Sequence, residues 1–268
     1  MRIETNLFPH RTTHALTLSY DDGPVADRRL VETMNRHGIR GSFHLSSSFF
    51  GKPGSINASE VASLYKGHEV SAHSATHPSL VNCAREVIVR EILGNREALE
   101  QLAGYPVRGM SYPFGTYDDR VVSLLSALGI EYARAVVSTG AFGIPGDFMR
   151  WHPTCHHNGG AMDVLRRFLD ARHQEKMLLY VWGHSYEFDN GNNWHLIEEL
   201  CAAAGGKSHV WYATSIEIVD YCRALDNLKL SAACDVVYNP SAIPVWVSVD
   251  GKAVEVAAGH TMKCTSIV

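Results

Sequence analysis

The sequence predicts an α/β fold, a distorted (β/α) barrel of about seven parallel strands with a short C-terminal β-hairpin extension. Strand-like and helix-like segments alternate between residues 14 and 227, which is typical of a parallel sheet covered by helices. About seven such alternations favour a closed or nearly closed barrel over an open sheet. The tail "NPSAIPVWVSVDGKAVEVAAG" alternates around Asp250-Gly251, which indicates a hairpin.

The strands are predicted from a two-residue apolar period or from short apolar runs. In the first, residues 14–20, Leu16, Leu18 and Tyr20 share one face. The later strands are predicted at residues 40–47, 68–74, 107–115, 131–137, 176–185 and 210–215. The pattern is less clean in the later units, whose strand segments at residues 148–157, 176–185 and 210–215 each precede a helix.

The helices are predicted from helical spacing of apolar residues and from their end signals. They are expected at residues 27–38, 59–67, 85–104, 118–129, 161–173, 193–206 and 216–227. In the fourth helix, Asp118 or Asp119 can cap the N-terminus and Gly129 the C-terminus. We expect residues 1–228 to form the barrel and residues 229–268 to form a β extension packed on it.

Composition excludes several classes of protein. The 268 residues carry a formal net charge of −4 and no run of Lys or Arg, so neither nucleic acid nor an anionic membrane is an expected partner. The N-terminus lacks the continuous apolar stretch of a signal peptide, and no window resembles a membrane span. The sequence therefore predicts a cytoplasmic protein with a small or neutral substrate, and it leaves the oligomeric state open. The six cysteines form no C-x-x-C pair, so we expect most to be reduced and buried.

Polar residues collect where strands are predicted to end, and the C-terminal strand ends carry the chemistry of β/α barrels. Asp21 and Asp22 follow the first strand in "SYDDGP", a stretch that also reads as an ordinary turn. The third strand ends in "HSATH", the fourth in "SYPFG", and a late strand in "WGH".

The His73/His77 pair is the most informative of three H-x-x-x-H pairs. Chance alone predicts roughly 0.8 such pairs for this histidine content. The pairs His10/His14 and His152/His156 do not lie at a predicted strand end. His73 and His77 do, and two imidazoles with one carboxylate from another strand end form a metal site with open positions.

These motifs resemble those of the polysaccharide deacetylases, the NodB-homology proteins of carbohydrate esterase family four. "SYDDGP" is similar to the family's first motif, usually T-F-D-D-G, and "HSATH" matches the second, H-S/T-x-x-H. "YVWGH" lies where the family has its last histidine at a strand end, and the order and spacing agree across about residues 15 to 225. The resemblance implies that the barrel, residues 1–228, is a NodB-homology domain.

The resemblance implies a role for each matching residue. Asp22, His73 and His77 would hold one divalent metal ion, zinc ahead of cobalt, nickel or another divalent ion, while Asp21 would be the general base. Such an ion polarises a carbonyl and lowers the pKa of bound water, and a nearby free carboxylate can take the proton. His184 would be the acid for the departing amine, although a strand-end histidine bonded to backbone is the alternative.

Three aromatic positions and a proline complete the implied site. The backbone N–H of Phe114 would lie at the oxyanion position, with Pro113 fixing the chain there. Tyr112 and Trp182 could line a sugar subsite, or they could be ordinary core residues.

One departure from the family concerns the third motif, normally R-x-P-Y/F. The chain has Ser111 where the family has an arginine that pairs with the catalytic aspartate. Arg150 and Arg108 are candidates to replace it, with a solvated arginine as the alternative reading of each. The fourth motif is placed at "RWHPTCHH", with His156 or His157 near the site.

The sequence therefore predicts a metal-dependent hydrolase that removes acetyl groups from N-acetylated or O-acetylated sugars or oligosaccharides. A metal-free cyclic-amide hydrolase resembling allantoinase is a second reading, but those relatives lack an intact Asp-His-His ligand set. A non-catalytic carbohydrate-binding protein is a third, and the retention of both Asp21 and His184 argues against it. The acceptor of the acetyl group stays open at this point.

Overall fold

The computed structural model describes residues 2–171 and 175–264. Its strands are β1 (Ile3–Glu4), β2 (His14–Asp21), β3 (Gly41–Leu45), β4 (Glu69–Ala72), β5 (Gly109–Ser111), β6 (Tyr132–Arg134), β7 (Cys155–His156), β8 (Met177–Gly183), β9 (Val210–Tyr212), β10 (Lys229–Leu230), β11 (Val236–Tyr238), β12 (Val245–Val249), β13 (Lys252–Val256) and β14 (Thr261–Lys263). Its helices are α1 (Asp27–Arg36), α2 (Val61–Leu64), α3 (Arg85–Ala103), α4 (Asp119–Ala127), α5 (Ala161–Asp170), α6 (Tyr186–Asn190), α7 (His195–Ala204) and α8 (Ser215–Asp226).

The parallel strands form one curled sheet in the order β6-β5-β4-β3-β2-β8-β7, and β9 also pairs with β2. The predicted distorted barrel is therefore confirmed. At its centre, β2 pairs with β8 from His14 to Tyr20 and with β3 from Leu18 to Asp21. This register places Asp21 beside His44 of β3 and Tyr20 beside Gly183 of β8.

Residues 148–157 connect strand β6, at one edge of the sheet, to strand β8. Trp151 donates its N–H to Ala133 in β6 and accepts from Ala135, and Thr154 donates to Tyr180 in β8. The curled sheet is thus bridged by main-chain hydrogen bonds, which brings β6 and β8 to the same cavity.

The C-terminal hairpin is confirmed. Strands β12 and β13 pair from Val245↔Val256 to Val249↔Lys252. Asp250 (φ 46°) and Gly251 (φ 82°) form the turn, with the two positive φ angles that tight hairpins favour. Strand β1 adds to this hairpin through Ile3↔Val249, and a second antiparallel sheet has the order β10-β11-β14.

Several predicted helix boundaries are confirmed by capping geometry. The Asp118 carboxylate accepts from Val121 N–H at the start of α4, and Gly104 ends α3 at φ 77°. The helix predicted at residues 59–67 is reduced to Val61–Leu64 after a 3-10 turn. The helix predicted at 161–173 ends at Asp170, and residues 172–173 of that prediction lie outside the described residues. None of the helices in the described ranges combines the length and apolar character needed to cross a membrane.

Candidate active site

A cavity of about 440 Å³ opens at the C-terminal ends of the barrel strands. It is lined by Asp21, Asp22, His73, His77, Tyr112, Phe114, Gly115, Val136, Trp182, His184 and Tyr186. The structure therefore brings together the residues that the sequence proposed as metal ligands, base, acid and substrate-binding groups, except Pro113, which is buried beside the cavity in the turn that carries Phe114.

The backbone at the strand ends is bent sharply. Asp22, His77 and Phe114 all have left-handed φ angles, at 76°, 60° and 59°. Residues other than glycine adopt this region at a cost, and such strain is often concentrated at functional sites. The turn and active-site readings of "SYDDGP" are thus compatible, because the turn is what directs Asp22 into the cavity.

Asp22, His73 and His77 place three ligand atoms around one point. Asp22 Oδ1 lies 3.6 Å from His73 Nε2 and 4.0 Å from His77 Nε2. This oxygen is buried and has no hydrogen-bond partner among the described residues. The Nδ1–H of His73 donates to the Ser111 carbonyl oxygen at 2.9 Å, which leaves the Nε2 lone pair directed at the cavity. Burial lowers the pKa of His73 to about 3, so the ring is neutral, as a metal ligand must be.

Asp21 is buried beside this group and is bound by other residues. Its Oδ1 accepts from Ser111 Oγ at 3.1 Å, and its Oδ2 pairs with the guanidinium of Arg134. Burial alone would raise the pKa of Asp21, but the Arg134 charge, together with smaller contributions from His73 and His44, outweighs burial and holds the pKa well below its usual range. For Asp22, burial and the neighbouring Asp21 charge raise the pKa.

The arginine that the third motif lacks is supplied by Arg134. Arg134 lies on β6 and is the register partner of Ser111 on β5, so the guanidinium enters from one strand further along the sheet. Its side chain is 0% exposed, and Trp182 covers it with the ring centroid 4.4 Å from the guanidinium carbon.

Neither Arg108 nor Arg150 replaces the motif arginine, and the structure agrees with the alternative reading of each as a partly exposed arginine. Arg108 binds Glu131 and Asp220, away from the cavity. Arg150 binds Asp119 and Asp147 at the surface. The sequence did contain a signal, because a charged residue stands in the strand-like alternation of "EYARAVV" on the same face as Tyr132 and Val136.

His184 lies on the other side of Asp22, with 3.9 Å between its Nε2 and Asp22 Oδ2. Its Nδ1 is 3.0 Å from Glu187 Oε1 on the short helix α6. This carboxylate, rather than a backbone group, is therefore the partner of the ring. Burial lowers the pKa of His184, but the hydrogen bond to Glu187 and the charges of Asp21 and Asp22 raise it above its ordinary value overall.

The aromatic residues differ in how much they offer to a ligand. Phe114 is 64% exposed, and its ring lies edge-on against His77 with centroids 4.6 Å apart. Tyr112 is almost fully buried, and its hydroxyl donates to the Met149 carbonyl. Trp182 lines the cavity while covering Arg134, so Phe114 presents the most accessible aromatic surface of the three.

The histidines of the proposed fourth motif lie next to Glu187. His156 Nε2 and His157 Nε2 are 3.1 Å and 2.9 Å from Glu187 Oε2. They contact the carboxylate that binds His184 and are not among the residues that line the cavity.

A sequence profile of the polysaccharide deacetylases matches residues 10–133. This part of the chain resembles the polysaccharide deacetylase family. The match contains Asp21, Asp22, His73 and His77, and it ends one residue before Arg134.

Curated proteins that are similar in sequence to this chain are also named as deacetylases. The chain is 29% identical over 126 residues to the peptidoglycan-N-acetylglucosamine deacetylase PgdA of Listeria monocytogenes, covering 46% of this chain and 26% of that protein. It is 26% identical over 132 residues to a chitooligosaccharide deacetylase of Sinorhizobium fredii, covering 48% of this chain and 60% of that one. The match thus spans only about a quarter of PgdA.

Solved structures share the fold. A provisionally named polysaccharide deacetylase from Mycobacterium smegmatis superposes with a TM-score of 0.63 at 18% identity, covering 82% of this chain and 93% of that chain. The similarity reaches beyond the profile match and includes most of the barrel.

Proposed function

We propose that the chain is a metal-dependent hydrolase that removes acetyl groups from N-acetylated sugars or oligosaccharides, and from O-acetylated ones. This proposal rests on one observation: a set of potential metal ligands and a separate acid–base pair lie around the same cavity. Asp22, His73 and His77 direct their ligand atoms at a common point, while Asp21 and His184 flank that point with other partners. The names of the relatives support the substrate class.

The three-residue set fits a divalent cation. Two neutral imidazoles and a carboxylate are a donor set that zinc and similar ions accept, and the unpartnered Asp22 Oδ1 is the atom that most needs a cation. A divalent ion held there supplies Lewis acidity toward an acetyl carbonyl and lowers the pKa of water toward about 7. We propose zinc ahead of cobalt or nickel.

The chain's own residues handle the protons. Asp21 stays ionised because Arg134 stabilises its charge, so it can accept a proton from an attacking water. His184 can hold a proton on Nε2 while Glu187 fixes its Nδ1, and that proton is available to a departing amine. We assign to the backbone N–H of Phe114 and the ring of Trp182 the binding of the acetyl oxygen and the sugar.

The alternatives differ in what they require. A metal-free cyclic-amide hydrolase has no need of the Asp22, His73 and His77 arrangement, and a binding protein has no need of a base and an acid beside it. The cytoplasmic location and the division of the chain at residue 228 stay predictions.

The experiment combines metal analysis with acetate release from a panel of N- and O-acetylated sugars. Asp22→Ala, His73→Ala and His77→Ala are each expected to lose the ion, whereas Asp21→Asn is expected to keep it and lose most turnover. The exposed His195→Ala is the matched control. Metal retention in Asp22→Ala equal to that of the unaltered chain would contradict the ligand assignment, and turnover without metal would favour the cyclic-amide hydrolase.

A further inference from the structure

A second group of metal-ligating side chains lies behind His184. We call His156, His157 and Glu187 the rear cluster. His156 Nε2 and His157 Nε2 lie 3.1 Å and 2.9 Å from Glu187 Oε2, and the three ligand atoms all lie within 4.8 Å of one another. The cluster joins β7 and the residue after it to helix α6.

The imidazole ring of His157 is held in place by stacking against aromatic rings rather than by hydrogen bonds. Its ring stacks against the rings of Tyr20 and Phe188, with centroid distances of 5.7 Å and 4.2 Å. Gly183 leaves the space that the ring fills, since a Cβ there would lie 2.0 Å from His157 Nδ1. The imidazole is thus fixed in position with its Nε2 toward Glu187.

Three polar atoms of the rear cluster have no hydrogen-bond partner among the described residues. His157 is 4% exposed, and neither of its ring nitrogens has a hydrogen-bond partner among the described residues. Glu187 Oε2 has none either, so its 2.9 Å separation from His157 Nε2 does not have hydrogen-bond geometry. Buried polar atoms without partners are unfavourable, and one ligand bound to both His157 Nε2 and Glu187 Oε2 would satisfy these two atoms.

The charge state also suits a cation. Burial would raise the pKa of Glu187, but the three surrounding imidazoles outweigh it and lower the pKa. Burial lowers the pKa of His157. An ionised carboxylate beside a neutral imidazole is the form in which both bind metal.

We propose that His156 Nε2, His157 Nε2 and Glu187 Oε2 hold a second divalent ion of the zinc type, separate from the one assigned to Asp22. In a tetrahedral zinc site with bonds near 2.1 Å, ligand atoms lie about 3.4 Å apart, within about 0.5 Å of the distances from the two histidine nitrogens to Glu187 Oε2. The ion would tie α6 to the end of β7, while Glu187 Oε1 remains with His184.

One contact must change when the ion binds. The backbone N–H of Asn158 donates to His156 Nδ1 at 3.2 Å, whereas coordination through Nε2 requires the proton on Nδ1. Binding therefore exchanges one long, neutral hydrogen bond for a metal–ligand bond. We expect the His156 ring to change tautomer and to lose this contact.

The test counts metal after the first set of ligands has been removed. Asp22→Asn and His77→Asn are combined, because asparagine tolerates the left-handed φ angles at both positions. The double variant is stripped with a chelator, dialysed against Zn²⁺ or Co²⁺ alone, and analysed by mass spectrometry of the metal. We expect about one ion per chain, against about two in the unaltered protein, with nitrogen-ligated Co²⁺ visible by absorption.

Adding His156→Gln or Glu187→Gln to the double variant should weaken Zn²⁺ binding by about tenfold or more, whereas His195→Gln should not. Zn²⁺ should also raise the melting temperature of the double variant but not of these triple variants. A natively folded double variant that binds no metal would overturn the proposal, as would unchanged binding in both triple variants. Acetate release is not measured, so an incorrect hydrolase assignment would leave these outcomes intact.

Discussion

Arg134 and Asp21 form a buried ion pair whose cation comes from the strand beside the one where the family motif carries it. Ser111 on β5 and Arg134 on β6 are register partners, and Ser111 Oγ donates to the Asp21 oxygen that Arg134 does not pair with. The carboxylate therefore keeps a cationic partner although the motif arginine is absent. The Ser111 hydroxyl and the Arg134 guanidinium share the space beside Asp21.

Replacing Arg134 with methionine should destabilise the protein by about 3–5 kcal/mol, because Asp21 would remain buried without its partner. Adding Asp21→Asn should restore much of that loss. Chemical denaturation of the single and double variants measures both effects. The control is Arg150→Met, whose side chain is 37% exposed and whose loss should change stability much less than the loss of Arg134. A similarly small change in Arg134→Met would contradict the ion pair.

Exchanging the residues at positions 111 and 134 should show that an arginine at either position can pair with Asp21. Ser111→Arg alone should be destabilising, since it adds a second cation to a space that Arg134 already fills. The double variant Ser111→Arg/Arg134→Ser should be more stable than the two single changes predict, by roughly 0.5–3 kcal/mol of coupling. Additive effects in the unfolding free energies would show that the two positions do not serve the same carboxylate.

His184→Ala should slow hydrolysis of N-acetyl substrates by about 10²- to 10⁴-fold. Aryl acetates should be affected much less, because a phenolate leaves without being protonated whereas an amine does not. The measurement is kcat/KM for both substrate types at one pH. Metal content, measured on the same samples, controls for a disturbed ligand set. Equal losses on both substrates would remove His184 from the role of acid.

Glu69→Gln should remove part of the pH dependence of stability. Glu69 is buried at the start of β4, where its carboxylate accepts from Ser42, Tyr132 and the Ile216 N–H. Burial raises its pKa to about 7.

The sign of this effect follows from the raised pKa. The folded state retains the Glu69 proton to higher pH than the unfolded state does, so this contribution is complete below about pH 4.5 and is lost as the pH rises to about 7. The unaltered protein should lose up to roughly 3 kcal/mol more than Glu69→Gln between pH 5 and pH 8. Unfolding free energies at three pH values test this, and parallel curves would contradict it.

The residues of the site that were found from sequence are those that belong to local motifs. Asp21 and Asp22, like His73 and His77, are close in sequence and stand at a strand end, so their spacing and position are visible without a structure. The alternation of strands and helices was visible for the same reason. These features depend on neighbours along the chain.

The residues that were missed depend on contacts across the barrel. Arg134 faces Asp21 only because the sheet curls and because β5 and β6 pair in one register. Glu187 reaches His184 through α6, a five-residue helix that is too short for a periodic pattern. A shift of β6 by one residue would turn Arg134 away from the cavity, and a strand of three residues is too short for its pattern to predict that register.

The pairing of Ile3 with Val249 has a consequence for the order in which the chain can fold. During synthesis, β1 emerges before the barrel strands, but the strand that it pairs with is made only after them. The main-chain groups of β1 that pair with β12 must therefore be hydrated or otherwise occupied until then. Contacts between such distant positions are slow to form, so β1 should be among the last segments to settle during refolding. It should also be among the first to exchange its amide hydrogens when the hairpin of β12 and β13 is loosened.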